Sequence, residues 1–205
     1  RLRPRGYVVS GDEPRAVAVH PSGRFFYTVN GLSSNVSAHT LSSTGLATAV
    51  TGSPFSLTGA TGPTAVAVSP DGQFLFVANQ GTNNVSVFEI NQTTGGLNTA
   101  PGSPFTLGSA VGPTAIAVHP SGNLLFVTNT TPGTLSVFTI GLAGVLAQVT
   151  GSPFLVVLDP QSLALNATGT VVYVANKGSN RISTFSVDQN TGVLVPIGTP
   201  FLTGT

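Results

Sequence analysis

The stretch Pro14-Arg-Ala-Val-Ala-Val-His-Pro-Ser-Gly23 returns as Pro63-Thr-Ala-Val-Ala-Val-Ser-Pro-Asp-Gly72, as Pro113-Thr-Ala-Ile-Ala-Val-His-Pro-Ser-Gly122, and more loosely as Pro160-Gln-Ser-Leu-Ala-Leu-Asn-Ala-Thr-Gly169. The copies start roughly 50 residues apart, a period that announces a repeat architecture. Within the stretch, Ala16 and Ala18 alternate with Val17 and Val19, as expected of an inner strand with little room on one face. Pro-Ser-Gly and Pro-Asp-Gly then supply turn chemistry, because proline fixes φ and glycine accepts φ > 0.

Working outward, each copy continues with a run ending in Asn: Phe25 to Asn30, Phe74 to Asn79, Leu124 to Asn129 and Val171 to Asn176. A third run follows at Val36 to Leu41, Val85 to Ile90, Leu135 to Ile140 and Ile182 to Val187. Each copy closes on Gly-Ser-Pro-Phe, at Gly52 to Phe55, Gly102 to Phe105 and Gly151 to Phe154, with Gly198-Thr-Pro-Phe201 in the last. All runs are short, rich in Val, Ile, Phe or Thr, and bounded by Gly, Pro, Asn or Ser. That is the strand signature, and no helix is expected. Four strands in each repeat make propeller blades. The expected fold is all-β, a propeller of four-stranded antiparallel blades at 14–62, 63–112, 113–159 and 160–205. An orphan outer strand at 7–13 precedes them, because Tyr7 to Ser10 aligns with the end of a unit, Ser56-Leu-Thr-Gly59.

The copies Ala78-Asn79-Gln80-Gly81-Thr82-Asn83-Asn84-Val85-Ser86-Val87 and Tyr173-Val174-Ala175-Asn176-Lys177-Gly178-Ser179-Asn180 resemble the YVTN-type repeat. With Ser69-Pro-Asp-Gly72 and Gly102-Ser-Pro-Phe105, the fuller unit is similar to the lactonase-type seven-bladed β-propeller family, which includes 6-phosphogluconolactonase-like proteins. The resemblance runs from Val8 to the C-terminus and implies a seven-bladed ring, of which only about four blades are present. Three resolutions follow: a piece of a longer propeller, a closed four-bladed ring, or an arc completed by another chain. The orphan strand favours the first, since a self-contained set of four has no place for it. An open arc would expose two apolar faces and unpaired edges.

Composition removes several functions. The 205 residues carry 7 Lys+Arg against 6 Asp+Glu, a net charge of +1 and 6% charged residues, where roughly a quarter is ordinary. Without a basic stripe, nucleic acid is not an expected partner; Arg1, Arg3 and Arg5 form a terminal cluster expected to stay solvated. The absence of Cys excludes a disulfide, a thiolate nucleophile and an iron–sulfur cluster. No apolar run approaches the roughly 18 residues of a membrane span, and a chain this long can bury roughly two-thirds of its unfolded surface. The first residue is Arg rather than Met, which suggests a processed or trimmed chain.

On a propeller, the loops entering each blade and the loops between second and third strands open on one face. Asp12, Glu13, Arg15 and Asp159 belong to the first set, Lys177 and Arg181 to the second. These six are the candidate ligand-binding residues at a channel mouth. Glu13, Arg15, Asp159 and Arg181 are the candidate catalytic ones: an arginine to bind an anionic group, a carboxylate to move protons or activate water. The plainer reading is that exposed loops carry whatever charge a protein has. Relatives implied by the resemblance use Glu, Arg and His at a channel mouth, but those residues do not align position by position here.

His20 and His119 precede equivalent Pro-Ser-Gly turns where other copies have Ser69 and Asn166, so they read as turn caps rather than metal ligands. His39 reads as an outward-facing strand residue opposite Val87 and Val137. No metal and no cofactor are expected. Gly59-Ala-Thr-Gly62 lacks phosphate-loop spacing and a following helix, and Gly-x-Ser-x-Gly is absent, leaving serine catalysis unsupported. The sequons at Asn35, Asn84, Asn91, Asn129 and Asn166 matter only in a host that glycosylates.

Low charge and Ser/Thr/Asn-rich loops suit an extracellular, periplasmic or cell-surface setting. The expected function is a non-catalytic propeller scaffold whose partners are a protein, a glycan, or further blades of its own or another chain. The alternative is a sugar-lactone hydrolase of the 6-phosphogluconolactonase type, or a fragment of one.

Overall fold

The Pro-x-Gly turns form as their chemistry requires: Gly23 N donates to His20 O at 2.8 Å and Gly72 N to Ser69 O at 2.9 Å, with both glycines at positive φ. They join innermost strands to second strands in a computed structural model that describes residues 8–203. The first sheet holds β1 (Pro14–Val19), β2 (Phe25–Asn30), β3 (Asn35–Leu41), β4 (Ala47–Ala49) and β5 (Phe55–Ser56). The second holds β6 (Pro63–Val68), β7 (Phe74–Asn79), β8 (Asn84–Ile90), β9 (Leu97–Thr99) and β10 (Phe105–Thr106). The third is β11 (Val111–Val118), β12 (Leu124–Thr131), β13 (Thr134–Ile140), β14 (Leu146–Gln148) and β15 (Phe154–Leu155). The fourth is β16 (Pro160–Leu165), β17 (Val171–Asn176), β18 (Arg181–Val187), β19 (Leu194–Pro196) and β20 (Phe201–Leu202).

Each sheet is an antiparallel meander of four positions, a propeller blade, whose outermost strand is broken in two. β4 pairs with the end of β3 and β5 with its start. Along β3 the register passes from His39, opposite Ala49, to Val36, opposite Phe55, so the outer chain carries an excess loop. The Gly-Ser-Pro-Phe motif closes it. Ser53 Oγ accepts the Ala38 N–H at 2.9 Å, and Ser103 and Ser152 do the same for Val87 and Val137. The serine thus satisfies a donor that the broken ladder leaves open. Helical structure among the described residues is confined to two single 3₁₀ turns, Leu142–Gly144 and Lys177–Ser179.

The Asn near the end of every second strand is buried and ties it to the third. Asn30, Asn79, Asn129 and Asn176 each donate Nδ2 to a serine hydroxyl, on Ser37, Ser86, Ser136 and Ser183, at 2.9–3.1 Å. Leu75 and Val77 point back into the core shared with the first blade, while Phe76 and Ala78 point forward into the core shared with the third. A third core joins the last two blades around Leu124, Phe126, Val137, Val172 and Phe185.

The end blades show what an open arc leaves uncovered. On the fourth, Tyr173, Ile197 and Phe201 are exposed at positions facing away from the third blade. On the first, Val17 and Val19 are exposed. His39 corrects its sequence reading: it aligns with Phe88, Phe138 and Phe185 rather than with Val87 and Val137. It is 1% exposed, stacks on Phe26 at 4.8 Å between ring centroids, and has its Nε2 3.3 Å from Val9 O. A slip of one residue along a strand exchanges the two faces, which is why the outward assignment fails.

The segment expected as an orphan strand begins at Tyr7, outside the described residues. Val8 to Gly11 join no sheet, and neither do their counterparts Leu57 to Ala60 and Leu107 to Ala110. The Arg1, Arg3 and Arg5 cluster also lies outside the described residues. No helix among the described residues is long and apolar enough to cross a membrane.

Candidate functional site

The loop entering each blade ends in a residue with left-handed backbone: Glu13 at φ 58, Gly62 at φ 59, Gly112 at φ 69 and Asp159 at φ 54. The carbonyl at that position accepts the N–H of the residue following the strand-two Asn. Gly31 N reaches Glu13 O at 2.8 Å, Gln80 N reaches Gly62 O at 2.9 Å and Lys177 N reaches Asp159 O at 2.9 Å. A proline follows in register with the Asn, from Pro14 opposite Asn30 to Pro160 opposite Asn176. Next comes the residue at which the blades diverge. Thr64 Oγ1 donates to Pro113 O at 2.8 Å and Thr114 Oγ1 to Pro160 O at 2.7 Å, hooking each middle blade to the next.

The first blade has Arg15 at the hook position. Its Nη2 lies 2.9 Å from Glu13 Oε1, with the two side chains 36% and 51% exposed. Gly31 makes room for it, since a Cβ there would collide with the Arg15 guanidinium stem. The fourth blade has Gln161, whose Nε2 donates to Asp159 Oδ1 at 2.5 Å. Lys177 opens the 3₁₀ turn beside it. Asp12 is exposed, and its N–H donates to Ser33 Oγ at 2.6 Å.

The six sequence candidates therefore form two groups on one face. Asp12, Glu13 and Arg15 gather on the first blade; Asp159 and Lys177 gather on the fourth. Arg181 is turned aside, its Nη1 donating to Pro200 O at 2.7 Å on the outer edge. Among the described residues the only ion pair is Arg15–Glu13, so no charge contact bridges the two groups. The first group can bind an anion or a carbonyl oxygen through Arg15 and accept a proton through Glu13.

His20 and His119, both buried, sit on the opposite face as caps. His20 Nδ1 accepts the Ser22 N–H at 3.1 Å, which leaves the proton on Nε2 to donate to Gly72 O of the next blade at 3.1 Å. His119 repeats this with Ser121 and Gly169. No group of three or more potential metal ligands occurs among the described residues. Tyr27 spans the first interface, its hydroxyl donating to Gly95 O at 3.1 Å, and burial pushes its phenol well above the usual tyrosine range. Sequence reasoning passed over the other face's carboxylates, Asp71 and Glu89. Their signal was positional: Ser22, Ser121 and Thr168 align with Asp71, and Thr40, Thr139 and Ser186 with Glu89.

Four blades open at both ends, with a polar mouth on the face where each blade begins, define an arc of a β-propeller. The sequence matches the family model "Lactonase, 7-bladed beta-propeller" over residues 3–106 and 97–205, and the chain belongs to that family. A Bacteroides uniformis protein assigned as a 6-phosphogluconolactonase superposes with TM-score 0.83 at 18% identity, covering 92% of this chain and 55% of its own. A similarly assigned Bacteroides fragilis protein gives 0.80 at 20% identity, covering 92% and 55%. The periplasmic gluconolactonase of Pseudomonas aeruginosa gives 0.77 at 21%, covering 92% and 54%. The chain thus spans just over half the length of each. No curated protein sequence matches it.

Proposed function

We propose that these blades form part of a longer propeller that hydrolyses a sugar lactone at the mouth carrying Glu13 and Arg15. The observation that carries the reading is the replacement, in the first blade, of the Gly-Pro-Thr hook by Glu13-Pro14-Arg15. A carboxylate held in left-handed backbone beside a paired guanidinium, where two other blades place glycine, is strain of the kind that accumulates at functional sites. The Glu13 carboxylate takes a proton from water as its oxygen adds to the lactone carbonyl. Arg15 stabilises the resulting oxyanion or holds an anionic group on the sugar. Collapse breaks the ring C–O bond, and the returned proton completes the hydroxy acid. Further blades supply the facing wall of the mouth.

Family membership and neighbours assigned as lactonases favour this reading over the non-catalytic scaffold suggested by composition. The low charge supports a periplasmic or cell-surface setting. The test is hydrolysis of glucono-δ-lactone and its 6-phosphate by the whole propeller. Arg15→Ala and Glu13→Gln should each lower kcat/KM at least about a hundredfold, the scale of one removed acid–base or oxyanion group. Retention of activity within about twofold of wild type in both variants would overturn the reading.

A further inference from the structure

A cleft lies on the face opposite that mouth, between the second and third blades. It measures about 570 Å³ and is lined by Asp71, Gln73, Phe74, Glu89, Gln92 and Ala143. A second trough of about 450 Å³ continues it past Gly141 and Leu142. Its existence has a local cause. At the first interface Arg24 Nη2 reaches across to Thr93 O at 3.3 Å, and at the third Asn123 Nδ2 reaches Gln189 O at 2.9 Å. Both target carbonyls stand in six-residue turns, 91–96 and 188–193. At the middle interface the facing turn, 141–145, is one residue shorter. Gln73, which aligns with Arg24 and Asn123, makes no such crossing bond among the described residues.

The chemistry of the opened cleft is one-sided. Gln92 spends its Nε2 on Gly72 O and Ile90 O at 2.8 and 2.9 Å, leaving its amide oxygen for another donor. Asp71 Oδ1 takes Ser69 Oγ and Gln73 N, while Oδ2 makes no bond among the described residues. The Glu89 carboxylate is exposed where the other blades have hydroxyls. Beside these acceptors lies the Phe74 ring, register-paired with Glu89 on the same blade, and across the interface Ala143, at φ 55, follows Leu142, which is 94% exposed and lines the adjoining trough. Oxygen acceptors set beside apolar surface in one cleft match a ligand with hydroxyl donors on its edges and C–H groups on its face. The two carboxylates disfavour phosphate and carboxylate substituents.

We infer that this cleft binds a saccharide free of anionic groups, separately from the proposed lactone site. The test is saturation-transfer NMR on the full chain with cellotriose, maltotriose and chitotriose. At least one should bind with a Kd of about 1 mM or tighter, and Arg15→Ala should leave that signal intact. Glu89→Thr, which installs the first and third blades' residue, and Gln73→Arg, which installs the residue that closes the first interface, should each weaken it at least about tenfold. Both positions are exposed, so the fold survives the changes. Failure of all three sugars to bind, or binding indifferent to Glu89→Thr, overturns the inference. So does Glu89-dependent binding of calcium or spermidine without any sugar signal, which would make the cleft a cation site.

Discussion

The second and third blades enter their innermost strands through Gly-Pro-Thr, whereas the first and fourth enter through Glu13-Pro14-Arg15 and Asp159-Pro160-Gln161. The backbone is the same in all four, left-handed at the first position and opposite the strand-two Asn at the second. What differs is what the side chains do. In the middle blades, glycine relieves the left-handed position and threonine fastens the next blade. In the end blades, a carboxylate accepts that strain and its neighbour turns back to pair with it. The middle blades show what the fold asks for, so departures from them mark residues retained for something other than folding. The same comparison exposes the lower-face cleft, where the second blade alone exchanges two hydroxyls for carboxylates.

The largest effect should separate a middle blade from an end blade at one aligned position. Phe126 is fully buried between the third and fourth blades, while Tyr173, its counterpart one blade on, is 41% exposed. Phe126→Ala should destabilise the 205-residue chain by about 3–5 kcal/mol. Tyr173→Ala should cost no more than about 1 kcal/mol, as for a partly exposed side chain. Urea unfolding of both variants decides it. Equal losses would mean that the fourth blade's free face is covered in solution. In a longer chain carrying further blades, Tyr173 should acquire the cost of Phe126, because the equivalent Tyr27 is buried against the following blade with its hydroxyl on Gly95 O.

A smaller effect probes the left-handed entry position directly. Gly62→Glu places a side chain at φ 59, with a Cβ 3.1 Å from Gly81 N, and should destabilise by about 1–2 kcal/mol. The reverse change, Glu13→Gly, should be nearly neutral. Relief of about 1–2 kcal/mol of backbone strain is offset by glycine's entropy of about 0.5–1 kcal/mol and by loss of a half-exposed ion pair worth about 0–1 kcal/mol. Matching denaturant midpoints for wild type and Gly62→Glu would break the comparison, because the position would then tolerate any residue.

Much of this was legible in the repeats. Alternation within Pro14–Val19 and its copies, the Pro-x-Gly turns and the Asn-terminated runs name strands whose pairing follows from their order. The split outer strand was not legible, because Gly-Ser-Pro-Phe reads as a closing turn until Ser53 is seen to bond Ala38 N within the ladder. His39 was misplaced by a one-residue offset in aligning the third runs. At the mouth, the sequence grouped Asp12, Glu13, Arg15, Asp159, Lys177 and Arg181 by face, but could not tell that Arg181 turns outward to Pro200 O. The lower-face cleft depends on the length of a turn in one blade and the reach of a side chain from another. Neither segment contains that information alone.

The smallest expected effect compares two turns that make the same bonds with different groups. In the second blade Asn91 Oδ1 accepts N–H from Thr93 and Thr94, both at 3.0 Å. In the fourth, Asp188 Oδ1 accepts from Asn190 at 2.9 Å and Thr191 at 3.0 Å. The Thr191 and Asn190 amides hold the Asp188 carboxyl below its usual value of 3.8. A carboxyl whose pKa falls on folding favours the folded turn at pH above its unfolded value, and that contribution disappears as pH drops through the folded one. Acidification below about pH 4 should therefore loosen the 188–193 turn before the 91–96 turn, seen as faster exchange of the Thr191 amide relative to Thr94. Asp188→Asn should remove the difference and leave neutral-pH behaviour unchanged. If Thr191 and Thr94 respond alike to acid in the unmodified chain, the charge on Asp188 contributes nothing beyond the hydrogen bonds that Asn91 already makes.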